Sequence, residues 1–381
     1  MNITIAKKDL LRLVGRCQGV VDKKSTMPIL ANVLINVDGP NSVRIAATDL
    51  YLAVAGTAAA EVRQGGSTAV PARDLFDRVK MMPEGPVSVS VAATGATEIK
   101  SGTSPRRYRL HGLPGDSFPA LPEPSADAPV LELEVEVLSA LINSTQFSIS
   151  TDETRPHLNS ALFEWDGDHV RMVTTDGHRL TKCEASVPGR QASATMLIPL
   201  KAIAELRRLT DEARAEPNRE GQPPMVTIAQ SGPNAFFTLA DTRFCVKLVD
   251  AQFPAYQQVI PASAERAIRA PRLALVEALK AVSLAASDRT GGVKLTLEGG
   301  TMRIMSESPE SGDGFDEIPI DYSGETVVIG FNARYVLDVL SVLADEEVQI
   351  LLSGELDPAV IKPASEPANR SFVGVVMPMR I

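Results

Sequence analysis

Apolar positions along the chain switch between a period of two and a period near 3.6, and the switches come in the same order three times. Each cycle opens with an alternating stretch that runs into apolar residues three and four apart: Ile3–Val20, Val130–Phe147 and Ala267–Ser283. Leu10, Leu11, Leu13 and Val14 in the first, and Leu138, Leu141 and Ile142 in the second, predict helices with one buried face. Two alternating runs follow: Val33–Val37 with Ser42–Ala46, Ala161–Trp165 with His169–Val173, and Val293–Leu297 with Met302–Met305. Between them stand Asp38-Gly39, Asp166-Gly167 and Gly299-Gly300, pairs that favour the tight turns of hairpins. A β-branched strand, a break at Pro or Gly and a second amphipathic helix come next, at Ser67–Phe76, Thr195–Ala204 and Thr326–Tyr335. Val70, Ile198 and Ile329 hold the same place in these segments, 128 and 131 residues apart, which is the period of a whole domain.

Two proline-rich stretches separate the cycles, Leu113–Val130 and Asp250–Ala262. Both place Phe-Pro shortly after an Asp, at Phe118-Pro119 and Phe253-Pro254, and read as stiff connectors because proline continues neither a helix nor a central strand. The expected fold class is α+β: three copies of one domain, at 1–127, 128–262 and 263–381, with two helices and about eight short strands in each.

Composition narrows the function. A hydrophobic content of 44% and a charged content of 22% exclude general disorder. Cys17, Cys183 and Cys245 are isolated, which excludes a disulfide framework and a thiolate zinc site. Neither a signal-like apolar start nor a long apolar run is present, so a cytoplasmic protein without a membrane span is expected. The 381 residues carry a net charge of −9, which over the whole chain argues against a nucleic-acid binder. Divided at the connectors, however, the thirds carry +3, −5 and −7, and the six expected helices together carry +3. Charge is therefore segregated. An aromatic content of 4% disfavours a platform for stacking single strands.

Thr175-Asp-Gly-His-Arg-Leu180 admits a catalytic reading, with His178 as base and Asp176 orienting it. No nucleophile elbow, P-loop, dinucleotide-binding glycines, HExxH or CxxC accompanies it, and with four histidines in all, neither a metal nor a cofactor is expected. The same segment belongs to a set that carries a resemblance: Met27-Pro-Ile-Leu30, Val70-Pro-Ala-Arg73, Gln146-Phe-Ser148, Leu158-Asn159, Lys247-Leu-Val-Asp250, Phe253-Pro254, Tyr335–Leu340 and Val375-Val-Met-Pro-Met-Arg380. In order, spacing and position these resemble, end to end, the β subunits of bacterial DNA polymerase III, the replicative sliding clamps.

The resemblance implies a non-enzymatic, head-to-tail homodimeric ring of the DNA-clamp fold, with helices lining the hole. Twelve helices spaced ~9 Å apart would enclose roughly 24 Å of clear width, enough for a duplex. It implies double-stranded DNA through the ring, facing Lys8, Arg12, Lys24, Arg73, Lys80, His157, Lys201, Arg208, Lys280 and Arg334. It implies a groove for a short linear motif built from Arg155, Leu158, Thr175, Gly177, His178, Arg179, Leu180, Pro254 and Val259. Leu356, Pro358, Val375, Met377, Pro378, Met379 and Arg380 would complete that groove. Through it the DNA polymerase III catalytic subunit, the clamp loader, other polymerases and repair proteins would dock. The dimer interface would use the basic Arg106, Arg107 and Arg109 against the acidic Glu307 and Glu310, with Leu284 between. The alternative is a clamp-like paralogue acting as an antibiotic-resistant or regulatory second copy. Two departures stand out. Pro156 and His157 occupy a loop that is aromatic in some members, and Gln258 precedes the groove valine where some members are basic.

Overall fold

The structure, a computed structural model, describes residues 1–92, 95–187, 193–215, 221–287, 290–367 and 369–380. Its six helices among these residues fall where the periodicity puts them: α1 (Lys7–Cys17), α2 (Ala72–Lys80), α3 (Val135–Thr145), α4 (Leu200–Ala215), α5 (Arg272–Val282) and α6 (Ala333–Ser341). The three expected hairpins also form, with Ile35 opposite Ile45, Trp165 opposite Val170 and Leu295 opposite Ile304. At Gly299-Gly300 both residues have positive φ (54° and 82°), the conformation that a tight right-twisted hairpin requires.

Helix ends are set by local hydrogen bonds: α6 stops at Ser341. The Ser341 hydroxyl donates to the Asp338 carbonyl at 2.7 Å, and the Val342 N–H turns to Val339 instead. A side-chain donor has taken the acceptor of the next helical turn. At the other end the Asn332 side chain accepts the Arg334 N–H at 3.0 Å and caps the helix.

By internal contacts the chain forms two compact units. Unit 1 holds residues 1–138 and 204–248 around a 13-stranded sheet. Its long strand Leu52–Gln64 pairs at one end with the first strand, Asn2–Ala6, and at the other with Thr242–Lys247 from the middle repeat. Unit 2 holds residues 139–203 and 249–381, with an eight-stranded sheet and a four-stranded sheet. There Arg179–Ser186 of the middle repeat pairs with Arg370–Val376 of the last over seven positions. In both units the strand after the hairpin of one repeat is joined to the closing strand of the next. Each sheet thereby hydrogen-bonds an edge that a single repeat leaves open. Among the strands that end a sheet in the described residues are Arg107–His111 in unit 1 and Gly312–Pro319 in unit 2.

The core is made by the inward faces of these strands and by the apolar stripes of the helices. Leu10, Leu13 and Val14 of α1 and Leu138, Leu141 and Ile142 of α3 are buried, as the helical spacing requires.

Candidate partner-binding groove and charged faces

The turn from Thr175 to Arg179 organises the site in unit 2. Gly177 has φ +93°, and a Cβ there would meet nothing within 4 Å, so glycine both permits the bend and leaves space above it. Asp176 Oδ1 accepts the N–H groups of His178 and Arg179 at 2.9 and 3.1 Å. Thr175 Oγ1 accepts from Gly177 at 3.1 Å and donates to the Arg179 carbonyl at 2.6 Å. The Met377 N–H donates to the His178 carbonyl at 2.9 Å and lays the C-terminal segment along the turn. Pro378 has no N–H to extend the ladder, and Met379 turns to the Gly330 carbonyl at 2.9 Å.

Beneath the turn lies an apolar floor of Leu162, Val173, Leu180, Leu197, Tyr256, Val360 and Val375, all buried, with Val249, Phe253 and Ile260 packed against it. Around it His178, Pro254 and Arg380 are exposed, and Val259 and Met377 are each 38% exposed. Of the expected groove residues, Leu180 and Val375 are therefore floor, while Thr175, Gly177, His178, Arg179 and Met377 form the turn and its partner segment. Met379 is half-buried, with its Sδ and Cε 3.5 Å from where a Cβ on Gly292 would stand. Leu158 is buried, and its N–H donates to Arg155, whose side chain is tied to Asp152 at 2.8 Å. Leu356 stands out at 68% exposure, and Pro358 is half-buried, in the loop before Ala359–Pro363.

Arg179 behaves differently from its neighbours. Its side chain is only 9% exposed, with Nε on Asp176 at 2.9 Å and a terminal nitrogen on Asp338 at 2.6 Å. The other terminal nitrogen donates to the Phe147 carbonyl at 2.6 Å, and the guanidinium lies 4.5 Å from the Tyr335 ring centroid. Tyr335 in turn stacks on His178 at 6.3 Å. Burial, followed by the Asp176 charge, pushes the Tyr335 hydroxyl above its ordinary pKa. Asp176 serves the turn itself: Oδ1 accepts from the His178 and Arg179 N–H groups and Oδ2 from the Arg179 side chain. Tyr335 and Asp338 lie in a segment that carries the resemblance but were not expected in the groove, and Tyr256 and Val360 were not singled out by sequence. Tyr256 reaches the floor from a connector and donates to Glu164 at 2.8 Å. Tyr335 and Asp338 arrive from α6, more than 150 residues from the turn.

The basic residues divide by unit. In unit 1, Lys8, Lys24, Arg73 and Lys80 are exposed, although Arg73 stands 3.6 Å from Asp77. Arg12 is held by Asp241 at 2.6 Å, and Arg208 by Glu205 at 3.0 Å. Arg16, nearly buried, bonds Asp241 at 2.7 Å and Glu212 at 2.9 Å. Burial would raise the Asp241 pKa, but hydrogen bonds from Arg12 and Arg16 outweigh it and hold the carboxyl below its usual range. These groups wall a cavity of about 730 Å³ with Lys8, Met225 and Thr242. In unit 2, Lys201, Lys280 and Arg334 are exposed and His157 is half-buried.

The expected interface residues are also placed. Arg107 and Arg109 are exposed on the open edge strand of unit 1, leaning toward Glu98, and Arg106 donates to the Met81 carbonyl. In unit 2, Leu284 is 82% exposed, Glu307 and Glu310 are exposed, and Phe315 on the open edge is 56% exposed.

Three strand–helix–hairpin repeats sharing sheets edge to edge define the class of DNA clamps. Comparison with known proteins agrees over the whole chain. Family models of the DNA polymerase III beta subunit match residues 1–122 (N-terminal domain), 132–255 (central domain) and 257–380 (C-terminal domain). The chain is 33% identical over 383 residues to the beta sliding clamp of Pseudomonas putida and 32% identical over 384 residues to that of Escherichia coli, covering all of each. A crystal structure of the Pseudomonas aeruginosa DNA polymerase sliding clamp superimposes with a TM-score of 0.91 at 31% identity, with both chains fully covered. The chain belongs to the DNA polymerase III beta subunit family, the bacterial sliding clamps. It is a DNA sliding clamp, a non-catalytic tethering subunit whose partners are DNA and polymerase, and the relatives support that function over a resistant or regulatory second copy.

Proposed function

We propose that the chain works in the bacterial cytoplasm as a closed head-to-tail homodimer around duplex DNA, built from domains 1–127, 128–262 and 263–381. The observation that carries this reading is the rule of the edges. Twice, the strand after the hairpin of one repeat pairs with the closing strand of the next. The remaining instances of those two strands are Gly312–Pro319 and Arg107–His111, and both are open. Pairing them between two copies satisfies the rule a third time and closes a ring. Arg106, Arg107 and Arg109 would then face an edge bearing Asp313 and Glu317, near Glu307 and Glu310, with Leu284 and Phe315 supplying apolar contact.

Enclosure replaces tight binding in this mechanism. The dimer carries about −18, which repels DNA from its outside, while the six helices carry +5 per copy and hold phosphates by a weak, sequence-independent attraction. DNA enters only when the ring is opened by a loader and then slides. The groove around His178, Leu180, Val375 and Met377 would take a short apolar motif from the polymerase III catalytic subunit, the clamp loader, other polymerases and repair proteins. Methionine and proline suit such a site because they adapt to several occupants. Light scattering should give twice the 40.7 kDa chain mass, and after loading the protein should stay on nicked circular DNA but slip from linear DNA. A monomer, or equal retention on both, overturns the ring.

A further inference from the structure

The turn Thr48–Leu52 in unit 1 copies the groove turn bond for bond. Thr48 Oγ1 donates to the Leu52 carbonyl at 2.8 Å, as Thr175 does to Arg179 at 2.6 Å. It accepts the Leu50 N–H at 2.9 Å, as Thr175 accepts that of Gly177 at 3.1 Å. Asp49 Oδ1 accepts the N–H groups of Tyr51 and Leu52 at 2.9 and 2.6 Å, as Asp176 accepts those of His178 and Arg179. The Lys247 N–H donates to the Tyr51 carbonyl at 2.8 Å, as Met377 does to His178 at 2.9 Å. Below, Ala53, Phe236 and Cys245 are buried and Leu121 and Ala128 pack against them, so a smaller apolar floor is also present.

What differs is the surface. Where the groove has Gly177, this turn has Leu50 with φ +76°, a conformation that crowds a Cβ against the following carbonyl. The side chain held there gains little core burial, being 53% exposed, and Tyr51 beside it is 65% exposed. The Lys247 ammonium lies 5.7 Å from the Tyr51 ring centroid and has no carboxylate partner among the described residues. Glu123, the nearby acid of the connector, is taken by Arg44 and Arg243.

We propose that Leu50, Tyr51 and Lys247 form a second docking surface, distinct from the groove, for a short peptide segment of a protein partner that carries an aliphatic or aromatic residue beside a carboxylate. The charge selects the occupant. A carboxylate gains the unpaired ammonium of Lys247, whereas a basic segment is repelled by it. The apolar residue covers Leu50 and the open face of the Tyr51 ring, the kind of aromatic anchor that dominates small interfaces.

The test is fluorescence anisotropy of the full-length protein with a fluorescein-labelled peptide Gly-Gly-Asp-Tyr-Asp-Gly, which lacks the apolar pair suited to the groove, and with a control in which Lys replaces each Asp. Saturable binding of the acidic peptide, weakened about tenfold or more by Tyr51→Ala and by Lys247→Glu but unchanged by His178→Ala, supports the proposal. Leu50→Gly suits the turn's backbone and should weaken binding with an unchanged circular dichroism spectrum, which separates loss of contact from loss of fold. No saturable binding, equal binding of the Lys control, indifference to Tyr51→Ala and Lys247→Glu, or loss on His178→Ala would overturn it. Because His178 belongs to the groove, these arms also distinguish failure here from failure of the groove reading.

Discussion

Arg179 lends itself to a quantitative test, because its guanidinium is nearly buried and every one of its nitrogens has an acceptor. Replacing it by Met keeps the apolar stem but removes three charge-assisted hydrogen bonds, to Asp176, Asp338 and the Phe147 carbonyl. At about 1.5–3 kcal/mol each, simple addition overshoots, since such terms are not independent. The carboxylates left behind are 16% and 31% exposed, so water recovers part of their solvation. Removing one partner of a fully buried pair costs about 3–5 kcal/mol, and with this relief about 3 kcal/mol is expected. Trp165, the only tryptophan in the chain, is buried in the same unit and reports unfolding by fluorescence. The urea midpoint of its transition should fall by roughly 1 M or more for Arg179→Met. Arg179→Lys should lose about half as much, because one ammonium cannot reach three divergent acceptors. A midpoint for Arg179→Met within about 0.3 M of the parent would refute the view of Arg179 as the strut of the turn.

Three further outcomes follow from other parts of the molecule. Asp241 titrates below its unfolded value of about 3.9, so its contribution is fully present above that pH and is lost as pH falls through the folded value. Acid unfolding of the unit holding Asp241 should therefore steepen below about pH 4, and Asp241→Asn should flatten that limb in a circular dichroism titration. Burial pushes the Cys17 and Cys245 thiols up to about 12, so neither should react with Ellman's reagent at pH 8 until the chain is unfolded. Rapid labelling of the folded protein at either thiol would contradict the packing. A Cβ at Gly374 would sit 2.7 Å from Val339 Cγ1 on α6, so Gly374→Ala should cost about 1–3 kcal/mol by overpacking. Val339→Ala should then rescue it in a double-mutant cycle of urea transitions.

The repeat, the hairpins and the presence of all six helices were legible because each rests on local periodicity and turn chemistry. Helix ends were less so: the stop of α6 depends on one serine hydroxyl choosing a main-chain acceptor, a choice that leaves no periodic trace. The groove was visible where it is contiguous, in Thr175–Leu180 and Val375–Arg380. Tyr335 and Asp338 were noticed in sequence but not placed beside the groove, because only the fold brings α6 against the turn, and amphipathic spacing says which face of a helix is buried without saying what it meets. Charge was legible in sum and in segregation, but not in pairing. Arg12 and Lys8 look alike in sequence, yet one is clamped by Asp241 and the other is exposed.

The edge-to-edge rule has a kinetic consequence for the proposed ring. The seams of Leu52–Gly56 with Thr242–Val246 and of Arg179–Ala185 with Arg370–Val376 join strands of one covalent chain. If such a seam parts, its halves stay tethered and meet again at an effective concentration on the order of millimolar. A seam between copies has no covalent tether: when one parts, only the ring's other such seam holds the halves together, and once both part, rejoining slows as the protein is diluted. Three seams per copy can share one geometry and still differ in how they reclose. The ring thus has its gate built in, at the joints that no covalent chain spans.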